Sequence, residues 1–201
     1  MDAVEGCLSG VSGPEDLRRV FHLAWTHAQV EMRYLKLEGA QANLFQRIAS
    51  RTVIRIPTAC AAVGTPAGRD TLWKLGLSGD LPIILMHALS EDSLPAVKTI
   101  AKAQEFLSLK GLNADLVIVY GGSDAYLCPL RDKLAELAQA AASRPYNRIT
   151  ALAQEMLSDD DAATLMAAAC LVLDGAAPLE PQLKAPAVPR AYTVFEPGAG
   201  M

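Results

Sequence analysis

Apolar residues are arranged along this chain in two ways. In residues 81–88, Ile83, Ile84, Leu85 and Met86 follow one another without a polar break, after the turn-forming Ser78, Gly79, Asp80 and Pro82. A run this short and sharply bounded predicts a central parallel strand covered on both faces. Residues 115–120, DLVIVY, predict a second buried strand, and 149–152 a third, weaker one. Elsewhere the apolar positions recur every three or four residues. Leu17, Val20, Phe21, Ala24, Trp25, Ala28, Met32 and Leu35 form one stripe, with Arg18, Arg19, Gln29 and Glu31 mostly off it. Such a stripe predicts a long helix lying on something apolar. Ser12 with Glu15 three positions on reads as its capping pair.

Leu44, Phe45, Ile48 and Ala49 resume the helical period after Gly39, which predicts a second helix ending near Ser50 and Arg51. The β-branched run at 53–56, closed by Pro57, reads as an edge strand or extended connector. Further helices are predicted over 94–110, with Gly111 as its C-terminal cap, around Leu127, Leu130, Leu134 and Leu137, and over 159–173, capped by Ser158 and ending at Gly175. The expected fold class is therefore α/β: an N-terminal helical hairpin followed by a small three-stranded parallel sheet in the order β-α-β-α-β-α. The expected division is a helical region over 1–56, a linker over 57–71, an α/β domain over 72–177 and an extended tail over 178–201.

Composition narrows the function classes. With 201 residues, 51% of them hydrophobic, 20% charged and a net charge of −4, the chain has the makeup of a soluble globular protein. Its 18 Lys and Arg are scattered, so neither a nucleic-acid surface nor a polybasic membrane patch is expected. No apolar stretch has the length needed to span a bilayer. Cys7, Cys60, Cys128 and Cys170 are far apart, and His22 and His27 are not spaced to share one helix face. No metal site and no cofactor are expected, and the thiols read as reduced in a cytoplasmic compartment.

Four places carry possible chemistry. Ser78 and Asp80 flank Gly79 at the amino end of a strand, where a turn is the simpler reading. Residues 87–90 and the turn Gly121, Gly122 and Ser123 fall at carboxyl ends, and the latter opens a helix whose free N–H groups suit an anion. Trp73 lies in a turn-rich segment and is open to stacking on a sugar ring, whereas Trp25 sits on the apolar stripe and is expected in the core. Asp159, Asp160 and Asp161 open a helix and are explained by its dipole. No catalytic pair of carboxylates is identified.

The strings FHLAWTHAQVEMRYL (21–35), ANLFQRIAS (42–50), LWKLGLSGDLPIIL (72–85), KGLNADLVIVY (110–120) and LSDDDAATLMAAACLVLDG (157–175) resemble, in this order, one region of the cyclic β-1,2-glucan synthases. That region belongs to their phosphorylase-like part, shared with the β-1,2-oligoglucan phosphorylases and related more distantly to cellobiose phosphorylase. The resemblance implies an accessory part preceding a catalytic helical barrel, which carries the carboxylate acting on the glycosidic oxygen and has no counterpart here. The partners it implies are that barrel and a β-sandwich of the parent enzyme, together with β-glucan. It is compatible with a cytoplasmic module on a parent enzyme associated with the inner membrane.

The loop over 57–70 is shorter than in the family, Arg69, Asp70 and Thr71 replace a glycine-containing stretch, and 189–201 does not follow it. The chain is thus expected to be a fragment or the product of a truncated frame, inactive alone. Two alternatives stand beside this reading. One is a stand-alone module binding a phosphorylated ligand at Gly121, Gly122 and Ser123. The other is an interdomain scaffold with Phe21, Trp25 and Met32 facing a neighbour.

Overall fold

The computed structural model describes residues 13–54, 64–121, 129–143 and 148–184. Its centre is β1 (Ile83–Ala88), in which Ile83, Ile84, Leu85 and Met86 are all buried. At about 1.5–3 kcal/mol for each large aliphatic side chain taken out of water, this strand alone stabilises the core by several kcal/mol. It pairs in parallel with β2 (Asp115–Tyr120) on one side, and β2 pairs in parallel with β3 (Ile149–Ala153).

The three-stranded sheet expected from the sequence is corrected here. A fourth strand, β4 (Ala169–Asp174), pairs in parallel with the other side of β1, so the order is β3-β2-β1-β4. The helix expected over 159–173 stops at Ala168, and β4 follows at the next residue. Alanines carry the helical pattern up to this point, and the apolar Cys170-Leu171-Val172-Leu173 continues it without a glycine or proline to mark the change. A short apolar run does not by itself tell strand from helix. A place beside β1, buried on both faces, decides for strand. Cys170 is an extra residue in this pairing, since Ile83 faces Ala169 and Ile84 faces Leu171. The bulge turns the Cys170 thiol onto the Ile83 carbonyl at 3.1 Å and sets Leu171 and Leu173 on the same face as Ile84 and Met86.

Helices cover both faces. On one, α4 (Leu94–Leu109) and α5 (Pro129–Ala142) pack with α2 (Gly39–Val53) over Ile84, Met86, Leu116 and Ile118. Phe45 of α2 meets Phe106 of α4 with ring centroids 5.8 Å apart and tilted, a geometry worth about 0.5–1.5 kcal/mol beyond area burial. On the other face, α3 (Arg69–Lys74) and α6 (Asp159–Ala168) cover Ile83, Leu85, Val117 and Val119. This division follows from the strand order. Right-handed crossovers from β1 to β2 to β3 keep their helices on one face, and the return from β3 to β4 reverses direction and puts α6 on the other. A short α7 (Leu179–Gln182) follows β4, and Gln182 ties it down by accepting from the Asp174 backbone N–H and donating to the Asp174 carbonyl.

The N-terminal helix departs from expectation. α1 (Pro14–Tyr34) forms, but Gly13 is its cap, with no side-chain capping bond, and Ser12 lies outside the described residues. Its stripe is largely bare: Phe21 is 73% and Trp25 63% exposed, so the core position expected for Trp25 is not found. Among the described residues, only its last two turns meet the body. There the buried Glu31 pairs with Lys110, at the end of α4, and with His27 at 3.1 Å. Val53, expected to open an extended run, instead closes α2.

Candidate functional site

A pocket of about 200 Å³ opens at the carboxyl edge of the sheet, beneath α6. β1 and β2 provide its floor through Leu85, His87 and Val119. Its wall is the inner side of α6, with Ala162, Leu165 and Met166, and its mouth is the β3-to-α6 connection, with Gln154, Leu157, Ser158 and Asp159. The topology makes this opening. The chain leaves β1 and β2 towards the α4 and α5 face, whereas it leaves β3 towards the α6 face, and ligand crevices in parallel sheets form outside carboxyl ends where such paths diverge.

His87 is the titratable group on the floor. It is half-buried, and burial holds its imidazole below the ordinary histidine pKa, against a smaller opposing pull from Asp174. Asp174 is its register partner on β4. The neutral ring presents one donor and one acceptor. Immediately beyond β4, Gly175 donates its N–H to the His87 carbonyl at 2.8 Å. A Cβ on Gly175 would stand 2.8 Å from the Ser93 Cβ and 2.9 Å from the His87 carbonyl oxygen, so only glycine lets the chain pass here.

At the mouth, Ser158 caps α6. Its hydroxyl accepts from the Asp161 N–H at 3.2 Å, and the Asp161 carboxylate accepts from the Ser158 N–H at 3.1 Å and from its hydroxyl at 2.7 Å. These hydrogen bonds from Ser158 hold the Asp161 carboxyl below the usual carboxylate range. The acidic run therefore does what its place at a helix start implies.

The residues singled out in the sequence fall at two opposite edges. Trp73, Ser78 and Asp80 come together at the amino end of β1. The Trp73 indole N–H donates to the Ser78 carbonyl at 3.2 Å, and the Asp80 N–H donates to the Ser78 hydroxyl at 3.2 Å. Gly79 takes a φ of +74°, as the turn requires. Asp80 lies 3.8 Å from Arg69, both being exposed. This is a turn whose polar groups serve one another, although Trp73 itself remains 60% exposed. Gly121 lies at the carboxyl edge against Leu89, while Gly122 and Ser123 lie outside the described residues. Residue 87 was visible as a carboxyl-end position. Gln154, Leu165 and Met166 carried no signal of their own, because only the placement of β4 brings α6 over His87.

Among the described residues no helix is long and apolar enough to cross a membrane. No protein-family model matches the chain. Over 177 residues it is 26% identical to the cyclic β-(1,2)-glucan synthase NdvB of Rhizobium meliloti (strain 1021). The aligned stretch is 83% of this chain and 6% of the synthase. The chain is thus related to a cyclic β-glucan synthase through most of its own length, and it spans a small part of that enzyme.

Proposed function

We propose that this chain is a non-catalytic accessory module of an enzyme that makes or phosphorolyses β-1,2-glucans, and that it acts in β-glucan metabolism by supporting a catalytic helical barrel supplied by other polypeptide. The observation that carries this reading is the relation to the glucan synthase, which takes in most of this chain yet amounts to 6% of the synthase.

The bare stripe of α1 favours a scaffolding contribution within the same reading. Leu17, Val20, Phe21 and Trp25 continue the line of Ala28 and Met32, which are partly covered by the body. A surface of this kind fits contact with the parent enzyme. The test is an assay of the purified chain with β-1,2-glucan and inorganic phosphate, alone and after addition of a catalytic barrel of the β-1,2-glucan phosphorylase type. No glucose 1-phosphate is expected from the chain alone, and complex formation is expected on addition. Phosphate-dependent release by the chain alone would refute the proposal.

A further inference from the structure

Resting on the reading of the chain as part of a β-glucan enzyme, we propose that the pocket beneath α6 binds one neutral pyranose ring, such as a terminal glucosyl unit, and discriminates against phosphorylated sugars.

Size comes first. A recess of about 200 Å³ with an open mouth suits one small ring seated inside, with any further units of a longer sugar lying outside it. The lining then matches the two sides of such a ring. Leu85, Val119, Leu165 and Met166 offer an apolar surface to its C–H face. His87 and Gln154 offer polar edges to its hydroxyl rim. Neither the His87 ring nor the Gln154 amide is hydrogen-bonded to another described residue, so both are available. A neutral imidazole and a carboxamide each supply a donor and an acceptor, which suits hydroxyls that do both.

Charge supplies the discrimination. A helix N-terminus ordinarily attracts anions, but the first turn of α6 carries Asp159, Asp160 and Asp161. Three carboxylates, of which Asp159 lines the pocket and Asp161 is opposed by Lys74, still outweigh a dipole end equivalent to roughly half a charge. A phosphate group at this mouth would meet net negative potential, whereas an uncharged hydroxyl would not.

Saturation-transfer NMR and calorimetry on the full chain, with methyl β-glucoside, a β-1,2-linked glucose disaccharide, glucose 1-phosphate and inorganic phosphate, test this. The glucoside and the disaccharide are expected to bind saturably, and glucose 1-phosphate at least tenfold more weakly. Leu165→Trp, which fills the pocket, and His87→Phe, which removes its polar edge, are each expected to weaken the glucoside at least tenfold. If Leu165→Trp does not fold, His87→Phe and the shift of the Gln154 side-chain amide on titration carry the test. Absence of saturation by either neutral sugar, unchanged binding in the folded variants, or equal or tighter binding of glucose 1-phosphate would overturn the site. Such a result with no turnover leaves the accessory reading standing, whereas turnover by the chain alone removes that reading whatever the titrations give.

Discussion

Gly175 and Ser93 touch where β4 ends against the turn that follows β1, with 2.8 Å separating the Ser93 Cβ from the position a Cβ on Gly175 would take. The His87 carbonyl at 2.9 Å and the Met86 methyl at 3.1 Å close the remaining sides. Gly175→Ala therefore forces the end of β4 away from β1 and is expected to cost about 2–3 kcal/mol. Thermal denaturation should show a fall of several degrees, while alanine at Gly39, where a Cβ meets nothing within 4 Å, should not lower the midpoint.

His87 makes stability depend on pH in one direction. Burial lowers its folded-state pKa below that of the unfolded chain, so on acidification the unfolded state takes up its proton first. Its contribution is neutral above about pH 6.5 and becomes destabilising as pH falls from there through the lowered folded value. Denaturant titrations of the wild type and His87→Gln between pH 7.5 and 5 should differ in slope, with the variant flatter.

The α6 cap gives a third expectation. Ser158→Ala removes an acceptor from the Asp161 N–H and a donor to its carboxylate, and loss of such a cap typically costs about 1 kcal/mol. Carboxyl titration followed by NMR should show the Asp161 pKa returning upward in the variant.

Two helices that look alike in sequence should respond differently. Phe45 of α2 is fully buried, and Phe45→Ala should cost about 3–5 kcal/mol. Phe21 of α1 is exposed, so Phe21→Glu should leave the unfolding midpoint of the isolated chain unchanged and should weaken its association with the barrel. A matching loss of stability in both would show that the α1 stripe packs against this chain after all.

Arg51 is buried, and its Nε and Nη1 have no hydrogen-bond partner among the described residues. Unmet buried donors cost about 1–3 kcal/mol, so Arg51→Met, which keeps the apolar stem, should raise the unfolding midpoint.

These contrasts also explain how far the sequence could be read. β1 and β2 were legible because glycine, proline and polar residues bound their apolar runs, and the end of α4 because Gly111 adopts a φ of +75°. β4 was not, since Ala168 and Ala169 belong to different elements with no punctuation between them. The stripe on α1 was visible, but periodicity says only that a face is apolar and not whether this chain covers it. The candidate pocket suffered from the first of these failures. His87 could be placed at a strand's carboxyl end, yet its roof depends on a crossover that exists only if β4 lies beside β1.

The direct passage from α6 into β4 has a mechanical side. With no loop between residues 168 and 169, the roof of the cavity is anchored without slack to a strand bonded along its length to the centre of the sheet. A hinged lid would need a compliant joint at that end, and this backbone has none. The recess is therefore held open in advance, and a guest entering it would find its shape already made.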